Sequence, residues 1–164
     1  MLFRSLQQFL PQVWFFILGL FLFLYVLLDG FDLGVGILSL TASSEKRRSI
    51  LMTSLGNVWD ANETWLVLGV GVLLVGFPMA HGVILGALYL PVALMLVTLS
   101  LRGVAFDFRV KAKAQHRPLW DKVFYIGSIL ASWAQGFMLG QLIIGFKQDM
   151  SSYLFSAQIG RAHV

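Results

Sequence analysis

The sequence predicts an all-α fold: a polytopic bundle of about four transmembrane helices with its N-terminus outside. Two observations carry that prediction. Hydrophobic residues make up 58% of the 164 residues, charged residues only 12%, and the mean hydropathy is +0.80. A soluble domain of this length could not bury so much apolar surface, so the bilayer is the expected solvent. The second observation is order: long apolar runs alternate with short polar connections, and no soluble domain or low-complexity segment intervenes. The chain has no cysteine, which excludes structural disulfides, thiolate metal sites and iron–sulfur clusters.

The elements follow in order. Helix one is expected from about Val13, through Trp14, Phe15 and Phe16, to beyond Asp32. With Arg4 ahead of it, this run could pass for a signal peptide. It is too long for a signal's apolar core and no small-residue cleavage site follows, so it reads as a retained helix. The loop Thr41–Arg48 comes next, then helix two, ending at Phe77, and a tight turn at Pro78–His81. Helix three is expected from about Gly82 to Leu101, a polar stretch from Arg102 to Lys122, and helix four from about Val123 to Phe146. Residues 1–146 thus form the membrane unit and 147–164 an outer segment.

Charge sets the orientation. Lys46, Arg47 and Arg48 follow helix one, and Arg102, Arg109, Lys111, Lys113, Arg117 and Lys122 follow helix three. With four crossings both groups fall on one side, against Arg4, Lys147 and Arg161 on the other. Basic connections collect in the cytoplasm, so the N-terminus is expected outside. This topology accounts for the net charge of +4 without a nucleic-acid partner.

The carboxylates are placed by counting. Asp29 and Asp60 each lie about 17 positions from the outer end of their helices, so they are expected at similar depth near the cytoplasmic boundary. Asp32 and Glu63 sit one turn further along on the same faces. Arg102, at the inner end of helix three, arrives near this level as a candidate charge partner. The apolar run Trp65–Phe77 is too short to cross alone, so the polar stretch Asn57–Thr64 must enter the membrane. Helical spacing puts Thr53, Asn57, Asp60 and Thr64 on one stripe, with Glu63 beside it. Ionisable groups at such depth are costly and face a protein interior or a wet cavity. Asp29, Asp32, Asp60 and Glu63 are therefore candidates for taking up and relaying protons. The plainer reading is that these acids pair with Arg102 or cap helices.

Other chemistry is sparse. His81 lies in an outer turn, His116 in the cytoplasmic connection and His163 at the end, so no pair of intramembrane histidines is available for haem. The chain is expected to bind no haem or metal itself, and Met95 and Met138 read as packing residues. Gly30-x-x-x-Gly34 and Gly136-x-x-x-Gly140, with Ser128 and Ser132, would permit close helix packing. Trp59 and Trp65 are candidates for contact with a quinone ring, although tryptophan at an interface is more often an anchor.

Three consecutive segments carry a resemblance. Asp29-Gly-Phe-Asp-Leu-Gly-Val-Gly36, Asn57-Val-Trp-Asp-Ala-Asn-Glu-Thr-Trp-Leu66 and Arg102-Gly-Val-Ala-Phe-Asp-Phe-Arg109 resemble, in order and spacing, subunit II of cytochrome bd-type quinol oxidases. The resemblance covers Val13 to Phe146, and Ala61, where many members have glycine, is similar to the cyanide-insensitive branch. It implies a heterodimeric core in the bacterial inner membrane. Subunit I of that core holds b- and d-type haems (or b alone), oxidises quinol and reduces oxygen to water. Subunit II, by the same resemblance, is haem-free and contributes a cytoplasmic proton route. Asp60 matches the family's proton-pathway acid, and Asp29 and Asp32 match its first-helix acids. The resemblance also implies a structural quinone in some members and leaves room for small accessory subunits.

The family is about twice this length, with roughly eight helices, so a second half is expected to be missing. The ending Ile159–Val164 matches a translated sequencing adapter and is expected to be artefactual. Two alternatives remain open from sequence: a proton-coupled transporter, and an assembly subunit whose acids only hold helices together.

Overall fold

In a computed structural model of the chain, residues 2–56 and 58–145 are described, with side chains from residue 9 onward. Asn57 and the expected outer segment 147–164, with Lys147, Arg161 and His163, lie outside the described residues. Everything described is helix or short connection, as the composition requires of a chain that must satisfy its backbone within a bilayer.

α1 is one helix, Leu2–Ser39, which starts earlier than expected and runs through Pro11. The expected loop through Arg48 shrinks to the five residues Leu40–Ser44, because Ser44 caps a new helix. Its Oγ accepts from the Arg47 backbone N–H at 3.3 Å, and Glu45 occupies the first turn of α2, Glu45–Leu55. α2 stops at Gly56, whose φ of 61° is the left-handed conformation that glycine adopts without a Cβ penalty. α3 follows, Trp59–Gly76.

The expected turn at Pro78–His81 is instead the first turn of α4, Pro78–Ala87, with Phe77 the sole connecting residue. Proline suits a helix start, where its fixed φ is pre-set and no N–H is needed. Leu88 then breaks the helix before α5, Tyr89–Lys111. The cause lies at Pro91, which has no N–H to offer the Ala87 carbonyl and would clash with it in a continuous helix. α5 runs well past the expected end at Leu101, so Arg102 and Arg109 belong to its interior rather than to a loop. A single 3₁₀ turn, Ala114–His116, leads into α6, Arg117–Ile144, which starts before the expected Val123.

Three stretches are long and apolar enough to cross a membrane: Phe9–Ser39, Tyr89–Lys111 and Ala114–Ile144. The broken pair α2 and α3 makes a fourth when taken as one span. α1 lies between α3 and α6, and α5 packs along α6 in the most extensive helix pair. One core cluster joins Leu33, Met95, Leu99, Ala131 and Ala134, with Met138 against it, so both methionines are packing residues. A second, nearer the basic end, joins Val35, Met52, Leu55, Ala105 and Phe124.

The glycines that allow close approach are not the expected pairs. A Cβ at Gly30, Gly34, Gly136 or Gly140 would meet nothing within 4 Å. The crowded positions are Gly36 against the Ser128 side chain, Gly69 against Leu22 of α1, Gly103 against the Trp59 ring, and Gly127 against α5. Spacing alone does not distinguish a glycine that faces a neighbouring helix from one that faces outward.

Candidate functional site

Two polar layers cross the bundle, separated by an apolar one. The upper layer centres on Arg102 of α5. Its Nη1 donates to Asp29 Oδ1 of α1 at 3.2 Å and lies 3.6 Å from Glu63 Oε1 of α3. Arg102 and Asp29 are 1% and 0% exposed, and Glu63 is 22% exposed. One guanidinium thus serves carboxylates from two different helices. Asp32, one turn beyond Asp29, is held by a neutral group instead: Asn62 Nδ2 donates to its Oδ2 at 2.8 Å. Tyr25, one turn before Asp29, is buried and accepts from Gln135 Nε2 at 2.7 Å.

The upper layer is only partly satisfied. Asp29 Oδ2, Glu63 Oε1 and Arg102 Nε are buried with no hydrogen-bond partner among the described residues. Full pairing is the rule for buried polar atoms, and exceptions gather at sites that handle protons or solvent. Beneath Arg102, its Cζ lies 5.6 Å from the centroid of the Phe124 ring, a cation–π arrangement.

Phe124 begins the apolar layer. Its ring neighbours Phe106 at 6.3 Å, and Phe106 neighbours Trp59 at 5.6 Å. Leu55, Val35 and Ala105 fill the same level. Trp59 is half-buried over Gly103, so it packs between helices. Trp65 packs against Phe21 with ring centroids 5.7 Å apart.

The lower layer was not foreseen as a cluster. Asp121 of α6 is fully buried and accepts from Arg48 Nη1 at 3.2 Å and from Arg109 Nε. Arg109 Nη2 also donates to Glu45 Oε1 at 3.2 Å, and Arg117 Nη1 lies 3.8 Å from the same oxygen. Arg48 Nε donates to the Ser39 carbonyl at 3.1 Å, setting a cation on the last turn of α1, where the helix dipole favours it. Arg48 and Arg109 are therefore partly structural, whereas topology alone was expected to account for them. Two signals were present in the sequence: Arg109 is two turns from Arg102, on the same face of α5, and Asp121 stands among cations that need a counter-charge.

The expected acids are thus brought together in part. Asp29, Glu63 and Arg102 meet, with Asp32 beside them. Asp60 is exposed on the outer side of α3, with no ion pair among the described residues. Thr53 and Thr64 of its expected stripe are exposed as well, and Thr64 donates to the Asp60 carbonyl. Asp29 shares its level with Glu63, one turn beyond Asp60 on α3.

The family model for cytochrome bd terminal oxidase subunit II matches residues 10–162. The chain belongs to that family. Among curated relatives it is 33% identical over 144 residues to the cytochrome bd ubiquinol oxidase subunit 2 of Bacillus subtilis, covering 85% of this chain and 42% of that protein. It is 31% identical to the cytochrome bd-I ubiquinol oxidase subunit 2 of Escherichia coli K12, covering 87% of this chain and 38% of the relative. A probable cytochrome oxidase subunit 2 of Haemophilus influenzae matches at 28% over 140 residues, 84% of this chain and 37% of that protein. The chain spans about two fifths of the length of these relatives. In this bd subunit II chain, the three resembling segments supply Asp29, Asp32, Glu63, Arg102 and Arg109 of the polar layers.

His81 lies in the first turn of α4, His116 in the 3₁₀ turn after α5, and Met95 is enclosed in the apolar core. No group of three or more metal-ligating side chains occurs among the described residues.

Proposed function

We propose that this chain is a haem-free part of a quinol oxidase in the bacterial inner membrane, and that its upper polar layer carries protons from the cytoplasm toward the oxygen-reducing haem of the partner subunit. One observation supports this above the others: a single buried guanidinium faces carboxylates from two separate helices, Asp29 at 3.2 Å and the partly exposed Glu63 at 3.6 Å, so neither acid is tightly paired. A pair that existed only to bind helices would gain most from full satisfaction.

On this reading Asp60 takes up the proton at the outer face of α3. Glu63, partly exposed on that helix, receives it, and Asp29 and Asp32 extend the route inward. Arg102 keeps the carboxylates close and offsets their charge, so a proton can sit at Glu63 Oε1 or Asp29 Oδ2. The apolar layer of Phe106, Phe124 and Leu55 stands between this site and the lower cluster, which favours uptake along α3 over a path through the bundle interior. The haems, of b and d type or b alone, belong to the partner, which also oxidises the quinol. Small accessory subunits and a structural quinone fit the same assembly. Asp121 and the lower layer tie the helices together at the cytoplasmic end.

The test uses the full-length subunit in the assembled oxidase, with Asp60→Asn and Glu63→Gln made separately. The proposal expects slow quinol-driven oxygen consumption while the reduced-minus-oxidised haem spectrum is retained. Normal turnover in both variants would remove the proton role, and loss of haem or of the complex would assign the acids to scaffolding. Purification of the unaltered subunit without any haem-bearing partner would put a transporter first.

A further inference from the structure

We propose that α6, which carries none of the acids on the proposed proton route, sets the position of Arg102 on that route through Gly127 and Phe124, making these two positioning residues. The inference rests on the proton-route reading and extends it to a helix that reading leaves unused.

The geometry is a notch with a platform below it. At Gly127 a Cβ would stand 3.2 Å from the Thr98 carbonyl oxygen, 3.5 Å from Arg102 Cγ and 3.7 Å from the Arg102 backbone nitrogen. The notch is thus tight against the Thr98 carbonyl of α5, with the stem of Arg102 passing beside it at contact distance. Three residues back on α6, the Phe124 ring lies under the guanidinium at 5.6 Å. Six residues back, Asp121 binds Arg109, two turns beyond Arg102 on α5, and so fixes the rotation and axial register of α5 against α6. Asp121, Phe124 and Gly127 are spaced three apart, along one side of α6. Clamp, platform and notch leave Arg102 little freedom, and its head reaches Asp29 at 3.2 Å and Glu63 at 3.6 Å. Both lengths are near the limit of a charge-assisted contact, so a small displacement of the stem changes which carboxylate is held.

A methyl group at Gly127 meets backbone on one side and the Arg102 stem on the other. The tight contact is with the Thr98 carbonyl, so α5 and α6 must part by a few tenths of an ångström at this turn, and Arg102, one turn further along α5, moves with it. Misplacement by 1 Å costs reactions on the order of a hundredfold, so a shift of this size predicts a loss of about 4–10-fold.

The experiment measures Gly127→Ala in the full-length subunit of the assembled oxidase, alone and combined with Arg102→Gln, the latter made together with Asp29→Asn so that no lone carboxylate of that pair is left buried. Expected are a kcat for oxygen reduction lowered by about 4–10-fold, with the KM for quinol and the haem spectrum unchanged. Once Arg102 is gone, Gly127→Ala should lower kcat no further, because its effect passes through that side chain. A wild-type kcat for Gly127→Ala overturns the proposal, as does an equal loss in the Arg102→Gln background, which marks general packing damage. If Gly127→Ala does not assemble, Phe124→Leu is put through the same cycle and judged by the same two outcomes. Asp29→Asn and Glu63→Gln, measured alongside, separate the readings. If they slow turnover while Gly127→Ala does not, only the positioning role falls; if they too are silent, the proton route falls and the positioning role with it.

Discussion

Arg102 and Asp29 form an ion pair of 3.2 Å between α5 and α1, with side chains 1% and 0% exposed. The backbones of these two helices stay apart, since α1 lies against α3 and α6, and they meet through side chains. The pair thus acts across the bundle, and it is buried where an isolated charge is expensive. Breaking it from one side leaves the other charge uncompensated, at a cost of about 3–5 kcal/mol. Arg102→Gln alone is therefore expected to destabilise the assembled subunit strongly. Adding Asp29→Asn should recover part of that loss, because two amides tolerate burial better than one lone carboxylate. Thermal inactivation of the purified complex reads both variants, and strictly additive losses would contradict the pairing.

The lower layer makes a second, independent prediction. Asp121 has zero exposure and answers two arginines, Arg48 and Arg109, that come from different helices. Asp121→Leu removes the buried carboxylate that both guanidinium groups share, leaving the buried Arg109 with only the exposed Glu45 as counter-charge, a loss of about 3–5 kcal/mol. The expected result is poor accumulation of the subunit in membranes at growth temperature, relieved by growth in the cold. Normal accumulation of Asp121→Leu would show that Glu45 and the helix carbonyls suffice for both cations.

Much of the upper layer was legible because depth in a membrane can be counted. A rise of about 1.5 Å per residue from the outer ends paired Asp29 with Asp60 and Asp32 with Glu63, with Arg102 near that level; the structure joins Asp29, Glu63 and Arg102, one turn off that count on α3. Counting does not give rotation about the helix axis. Asp60 shares its helix with Glu63, yet it faces outward while Glu63 faces Arg102. Length was misjudged for a related reason. Arg102 and Arg109 look like the edge of a loop because they are charged, but buried partners on α1, α3 and α6 let α5 continue through them. Hydropathy is a property of one segment, whereas an ion pair belongs to two.

Glycine shows the same limit and offers a test of it. Gly103 lies 2.8 Å, measured from a hypothetical Cβ, from the Trp59 ring edge, while Gly30 and Gly34 face nothing within 4 Å in this chain. Gly103→Val is expected to displace Trp59 from Phe106 and cost about 1–3 kcal/mol, the usual penalty of overpacking. Tryptophan fluorescence is a poor probe among the five tryptophans, so the readout is thermal stability, with Gly103→Val compared in wild-type and Trp59→Phe backgrounds. The smaller ring should absorb much of the penalty. Equal losses in the two backgrounds would mean that the crowding lies elsewhere.

Asp32 separates stability from proton transfer more cleanly than any other acid here. It is 1% exposed, yet its partner is the neutral amide of Asn62 at 2.8 Å rather than a cation. Asp32→Asn keeps an acceptor oxygen in nearly the same place, so the hydrogen bond from Asn62 can re-form and the fold should lose little. Asn62→Leu does the reverse: the acid stays but its buried Oδ2 loses its donor, at about 1–3 kcal/mol. If Asp32 lies on the proton route, Asp32→Asn slows oxygen consumption in a complex of near-normal thermal stability, while Asn62→Leu lowers stability first. If Asp32 serves only as a structural contact, the order inverts: Asp32→Asn turns over normally, and only Asn62→Leu is defective. Measuring both properties on both variants decides between the roles, because the two substitutions strike opposite ends of one hydrogen bond and only one of them removes an ionisable group.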